Sequence, residues 1–241
     1  MRNLNFYGLI RSGNHAIIFW MLHNLGEIRE IKDVKKLFYK ESYRKFWYTG
    51  YNYYFNNVTR SQVINFPREY NLLIKSYEDI IPDSTSENSF IILRDILNGI
   101  ASRHKAYGLG LAPNNKYLTD IDVIIDMWKK HFEIILKKQN GIIYNKWVID
   151  KKYRDEVSIK LNIPNKIDDI SFVPYIGYGS SFILFNKEPD NYSYLTRYMQ
   201  HKLPDEIIHK LVEDDELVNI HKEFFGLDFK EIYNKERIEY V

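Results

Sequence analysis

Apolar residues fall along the chain in short runs separated by amphipathic stretches. The run NLNFYGLI (3–10) reads as a buried strand. GNHAIIFWMLHNL (13–25) follows as a helix, with Ile17, Trp20, Met21 and Leu25 on one face and Gly26 as its stop. EYNLLIKS (69–76) predicts a second strand, and NSFIILRD (88–95) a third that passes at once into the helical ILNGIASRHKAYG (96–108). LTDIDVIIDMWKKHFEIILKKQ (118–139) predicts a long amphipathic helix capped by Thr119 or Asp120. GIIYNKWVI (141–149) reads as a fourth strand, DKKYRDEVSIKLNIP (150–164) as a helix stopped by Pro164, and the tail from Asn191 to Tyr233 as mostly helical. Residues 31–60 mix lysines with many aromatics and show no clean period. Strands alternating with helices predict an α/β fold, a three-layer parallel sheet with helices on both faces and ligands at the carboxyl ends of the strands.

Composition narrows the picture. The 241 residues suit one domain, 1–241, with an aromatic-rich variable segment at about 31–60 and no internal repeat or low-complexity linker. A formal charge of +2 implies no broad polyanion-binding face, so no nucleic-acid partner is expected and an anion site must be local. The absence of cysteine excludes disulfides, thiolate metal sites and cysteine nucleophiles. The longest apolar run, Ala16–Leu22, falls far short of the ~20 residues that span a bilayer. No charged n-region precedes an apolar h-region at the start of the chain. The expectation is a cytoplasmic protein without a transmembrane segment.

The candidate chemistry lies at two strand ends. Gly8 to His15 reads G-L-I-R-S-G-N-H, the G-x-x-x-x-G frame of a phosphate-cradling loop leading into a helix N-terminus. Asn14 and His15 stand where a nucleoside-triphosphate site carries its lysine and its magnesium-binding hydroxyl, which argues against a kinase. Arg11 supplies a permanent charge. The alternative is a tight strand-to-helix turn that Gly13 merely permits. The second segment places Arg94 where a strand stops and Ser102 eight positions later in a helix, so that an arginine fork and a hydroxyl converge on a second phosphate. The alternative there is Arg94 pairing with Asp95 and Ser102 bonding back to its own helix.

Together, Arg11-Ser12-Gly13-Asn14-His15 and Arg94…Ser102 resemble the two nucleotide motifs of the sulfotransferases that use 3′-phosphoadenosine 5′-phosphosulfate (PAPS). In that family a Pro-Lys/Arg-Ser-Gly-Thr-Thr loop holds the 5′-phosphosulfate, and an Arg with a Ser eight residues on holds the 3′-phosphate. Weaker echoes follow in order: LLIKSYEDIIP resembles the Lys-Thr-His strand end, IIYNKWVIDKKYRDEVSIKLNIP the Tyr-Glu-Asp segment, and YLTRYMQHKLPDEIIHKL a C-terminal segment of bacterial members. The resemblance implies a P-loop-like sulfotransferase fold and a metal-independent transfer of a sulfuryl group from PAPS to a hydroxyl or amine, with a saccharide or small molecule as acceptor. It assigns Arg11 to the charge developing on the bridging oxygen. It assigns Arg11, Ser12, Gly13, Asn14, His15, Ala16, Arg94 and Ser102 to the donor nucleotide.

Several positions depart from the family. Tyr77 stands where the cytosolic branch has its catalytic histidine, and Tyr, with a reference pKa of ~10, is a poor base. Glu78 is the first candidate for general base and His15 the second; Glu78 read otherwise is an exposed strand-end carboxylate. Ala16 replaces an aromatic that stacks on adenine in some members, leaving that task to Tyr144 unless Tyr144 is a core aromatic. Arg197 is read as a surface arginine, or as an extra phosphate ligand. The histidines at 104, 131, 201, 209 and 221 have no metal-ligand spacing and are read as structural or solvated, so no metal is expected. The aromatic block 38–55 either binds acceptor or packs against the sheet. Two other classes remain beside the sulfotransferase: a divergent P-loop phosphotransferase, and a non-catalytic nucleotide-binding or interaction module.

Overall fold

The structure is a computed structural model that describes residues 2–24, 52–57, 60–64, 72–82, 86–108, 120–138, 140–164, 168, 170 and 195–233. Its frame is a six-stranded sheet in the order β3-β2-β4-β1-β5-β6, with β1 at Arg2–Gly8, β2 at Asn52–Asn57, β3 at Arg60–Ile64, β4 at Leu72–Glu78, β5 at Ser89–Leu93 and β6 at Gly141–Ile143. β1 pairs in parallel with β4 on one side and β5 on the other. β2 and β6 extend the parallel set, and β3 runs antiparallel to β2. The chain is therefore of the α/β class. Gly8 is in register with both Glu78 and Ile92, so the loop after β1 opens between the carboxyl ends of β4 and β5.

Successive side chains of a strand point to opposite faces, and each face carries a helix. Ser76 meets Asn14 of α1 (Asn14–Asn24). Gly141, in register with Ile91, is crowded by Ile135 of α3 (Ile121–Lys138). β5 is buried along its whole length, as a central parallel strand should be. One hydrophobic core joins Leu93 and Ile143 to Ile96 and Ile100 of α2 (Ile96–Gly108), to Trp128 and Phe132 of α3, and to Leu211 and Leu217 of the C-terminal helices α7 (Asp205–Glu213) and α8 (Asp215–Phe225). Asp120 caps α3 by accepting from the N–H groups of Asp122 and Val123; Thr119 and Gly26 lie outside the described residues.

Three readings of the sequence change. GIIYNKWVI is a strand only over Gly141–Ile143; Tyr144–Ile149 forms helix α4, because Tyr144, Trp147 and Val148 are spaced to bury one helical face. Trp147 meets Trp20 of α1 edge-on, with ring centroids 5.8 Å apart. The next helix, α5 (Lys151–Lys160), ends ahead of Pro164, at a left-handed Asn162 (φ 46°), with Ile163 N–H bonded back to Ser158 O at 3.0 Å. Finally, the stretch without a period contains β2 and meets the start of β3 at Arg60. Residues 52–55 of the aromatic block lie in β2, inside the sheet between β3 and β4; residues 38–51 lie outside the described residues.

His221 of α8 shows how tightly the C-terminal helices are tied to the sheet. Its Nε2 accepts the N–H of Ile96 at the start of α2 (2.9 Å), and its Nδ1 donates to Leu217 O (3.0 Å), which requires a neutral ring. Burial pushes its pKa down from 6.5 to about 4, against smaller opposing effects of Asp95 and the Leu217 bond. An unfolded chain takes up the proton near 6.5 and the folded one only near 4. The stability His221 supplies is thus complete above 6.5 and lost as the pH falls towards 4. Denaturant melts of the wild type are predicted to lose up to about 3 kcal/mol from this group over that window. The variant His221→Phe should show a shallower acid slope whatever its stability at pH 7; an unchanged slope would contradict the assignment.

Candidate active site

The loop after β1 is shaped by close approaches. A Cβ on Gly8 would lie 2.9 Å from the Ile92 carbonyl oxygen and overlap the Ser12 hydroxyl. Gly13 has φ 102°, and a Cβ there would overlap the ring of Tyr144. Between them Arg11 is held at φ 72°, a conformation that side-chain-bearing residues rarely adopt. Two bonds restrain it there: Ser12 N–H closes a turn onto Leu9 O at 2.9 Å, and Arg94 Nη1 donates to Arg11 O at 3.3 Å.

Asn14 fastens the loop to β4. Its Oδ1 accepts from Ser12 Oγ at 2.7 Å, and its Nδ2 donates to Ser76 Oγ (3.3 Å) and Tyr77 O (3.4 Å). Ser12 and Asn14 are both buried in this arrangement. The first helical bond of α1 runs from Ile17 N–H to Gly13 O (3.2 Å). The N–H groups of Asn14, His15 and Ala16 precede it, with no carbonyl one turn behind them in the helix. Ala16 is buried, and the side chain of His15 lies outside the described residues.

A buried ion pair braces the other side of the loop. Asp79, directly after β4, has φ 55°, donates its N–H to Gly8 O at 2.9 Å and accepts from Ile10 N–H at 2.9 Å through Oδ1. The same oxygen is paired with Arg103 Nη2 from α2, and Arg103 Nε donates to Ile10 O at 3.1 Å. One carboxylate and one guanidinium thus hold three elements together.

Glu78 is only 8% exposed, so the reading of it as an exposed strand-end carboxylate is replaced by a buried one. Burial, reinforced by the charge of Asp79 and opposed by Arg11 and Arg103, raises its pKa from 4.5 to about 7. Burial pulls Arg11 below its ordinary value, Glu78 pulls it up, and the nearby charges of Arg103 and Arg94 lower it; an arginine nonetheless stays protonated throughout. Tyr77 moves the wrong way for a base, since burial raises its pKa. Its ring stacks on Tyr7 at 4.7 Å.

Arg94 is 3% exposed and lies over the ring of Tyr144, 5.0 Å from its centroid. Its carbonyl accepts from Trp128 Nε1 at 2.7 Å. The Asp95 carboxylate accepts from Asn98 and Asn145. Tyr144 has Gly13 and Arg94 against it and packs on Trp147 at 5.7 Å. It is buried as a core aromatic. Ser102 is fully buried and its hydroxyl accepts from Arg197 Nη1 at 2.9 Å, in place of the back-bond to its own helix. Arg197, on α6 (Arg197–Gln200), is 5% exposed and not the surface residue of the first reading. Its N–H donates to Asn98 Oδ1 at 2.6 Å, and Asn98 Nδ2 donates to Leu195 O at 2.6 Å.

The site residues read from the sequence therefore gather into two groups, Arg11, Ser12, Gly13, Asn14, Glu78 and Arg94 around the loop, and Ser102 with Arg197 on the α2–α6 contact. α2 begins just after Arg94 and carries Ser102 and Arg103, which links them. Sequence reasoning missed Asp79, Arg103, Ser76, Asn98 and Asn145. Only Asp79 left a local signal, as a short polar residue after a strand end, where left-handed backbone is tolerated. No family model, no curated protein and no solved structure matches this chain.

Two outcomes are predicted. Gly13→Ala should destabilise the fold by about 3 kcal/mol or more in chemical denaturation, since it combines strained backbone with overlap on Tyr144; a change within about 0.5 kcal/mol would contradict the packing described. For Glu78, the folded state binds the proton between about 4.5 and about 7 while the unfolded state has lost it. Its effect on stability therefore becomes less favourable as pH rises through that window, and is constant above it. Glu78→Gln should gain up to about 3 kcal/mol relative to wild type between pH 4 and pH 8; a stability difference independent of pH would contradict the buried carboxyl.

Proposed function

We propose that this protein is a sulfotransferase that moves a sulfuryl group from PAPS to a hydroxyl or amine acceptor, a saccharide or small molecule, on a P-loop-like sulfotransferase fold in the cytoplasm. The observation that carries the reading is the meeting of the two motifs: Arg94 donates to the carbonyl of Arg11 across adjacent parallel strand ends. The residues fit a doubly phosphorylated nucleotide. The N-terminal N–H groups of α1 and the Arg11 guanidinium suit the 5′ end. The Ser102 hydroxyl and Arg197, with Arg94 nearby in the chain, suit the 3′-phosphate.

The donor supplies a sulfuryl group and leaves as 3′,5′-phosphoadenosine. Arg11 and the helix N-terminus meet the negative charge that grows on the bridging oxygen. Glu78, with a pKa near neutral pH, is suited to accept the proton of the acceptor hydroxyl or amine. His15 is the second candidate for that role. Asn14 bears no charge and has its side chain bound to Ser12, Ser76 and Tyr77. That favours this reading over a P-loop phosphotransferase, whose lysine at this position reaches the outer phosphates.

In a thermal-shift assay, 3′,5′-phosphoadenosine at 100 times its Kd should add roughly 2.7 kcal/mol of stability, and ATP with magnesium much less. Equal shifts from both would favour the phosphotransferase. No shift from either would leave an interaction module. Arg94→Ala should selectively lose the preference for the 3′-phosphorylated nucleotide over adenosine 5′-phosphate; unchanged discrimination would make Arg94 purely structural.

A further inference from the structure

Helix α6 is four residues long, Arg197–Gln200, too short to hold a helical form by itself. It is tied to α2 by a ladder of contacts that climbs both elements in the same direction. Asn98 accepts the Arg197 N–H and donates to Leu195 O, both at 2.6 Å. One turn on, Ser102 accepts from Arg197 Nη1 at 2.9 Å. Two residues further, His104 Nδ1 meets Nε2 of His201, the residue that ends α6, at 2.8 Å. Both imidazoles are half-buried, with ring centroids 5.1 Å apart. The first two rungs are made of amides, a hydroxyl and an arginine, whose charge does not change near neutral pH. The third is made of two histidines, which gain and lose protons there.

The number of protons on the pair decides whether that rung exists. With none added, the N–H of one ring donates to the lone pair of the other. With one added, an imidazolium donates to a neutral ring, and the bond is charge-assisted. With two, every ring nitrogen carries hydrogen, no acceptor is left, and two cations stand in contact. The other charges facing the pair oppose that last state. Lys105 of α2 acts on His201, Arg197 of α6 acts on Lys105, and Lys202 is next in the chain. Burial, His104 and Lys105 all hold the His201 pKa below its ordinary value. We propose that His104 and His201 form a proton-operated latch: the pair holds the end of α6 on α2 until it takes up a second added proton, then lets go and loosens Arg197 from Asn98 and Ser102. The latch goes beyond the proposed function; its consequence for nucleotide, a 3′-phosphate contact that weakens in acid, rests on that reading.

The test reads both parts of the latch by NMR of the free protein, following the histidine ring nitrogens and the backbone amides from pH 8 to pH 4.5, with His104→Gln and His201→Gln to assign the rings. In the wild type the pair should titrate in two steps at least about one pH unit apart. The Arg197 amide, which reports the bond to Asn98, should shift with the second, more acidic step and not with the first. His104→Gln should raise the His201 midpoint by about one pH unit, since it removes a neighbouring cation. In either variant the Arg197 amide should lose the shift tied to the second step, and the wild-type coincidence decides alone if neither variant folds. Two rings that titrate independently, or an Arg197 amide that does not follow the second step, would overturn the proposal. So would an amide shift that is the same in the wild type and both variants. Because the titration needs no nucleotide, failure to bind 3′,5′-phosphoadenosine would remove the sulfotransferase reading and leave this result standing.

Discussion

Asp79 donates its N–H to Gly8, accepts the N–H of Ile10 and is paired with Arg103, whose own Nε reaches Ile10 O. One buried ion pair thereby fixes where β1 ends, where β4 ends and where α2 passes, and the loop between Gly8 and Asn14 has its shape because all three are fixed. Removing one partner of such a pair costs about 3–5 kcal/mol, because the other charge stays buried. The strained φ of Arg11 persists for the same reason: the surroundings determine it more strongly than its own preference opposes it.

From this constraint the electrostatics of the site follow. Two acids and three arginines are drawn into a region where water is scarce, and their charges act on one another with little screening. Glu78 is raised by burial and by Asp79, and is kept from rising further by Arg11 and Arg103. A carboxyl poised near neutrality beside a fixed cation is the kind of perturbed pair that clusters at functional sites. The opposite group, Ser102 and Arg197, is built from uncrowded hydrogen bonds through Asn98 and the start of α6.

The sequence carried the central frame clearly. β1, β4, β5 and the helices after β1 and β5 were legible because each is a single apolar run or a strong 3.6-residue period, and the loop was legible because glycines mark it. The start of α4 was misread because Tyr144, Trp147 and Val148 are apolar enough for either element, and only their contact with α1 decides. β2 escaped because NYYFNN lacks alternation. The Asp79–Arg103 pair and the Arg197–Ser102 contact join residues 24 and 95 positions apart. No local pattern announces such pairs; they exist only once the sheet order is set. Arg197 is the plainest case, since an isolated arginine in a polar tail reads as surface until α6 is laid against α2.

The most direct test of the account is a crystal structure with 3′,5′-phosphoadenosine bound. The account predicts the 5′-phosphate against the N–H groups at the start of α1 and the Arg11 guanidinium, with the 3′-phosphate on Arg94, Ser102 and Arg197. A nucleotide bound elsewhere, or bound with its 5′-phosphate away from the loop between Gly8 and Asn14, would contradict it.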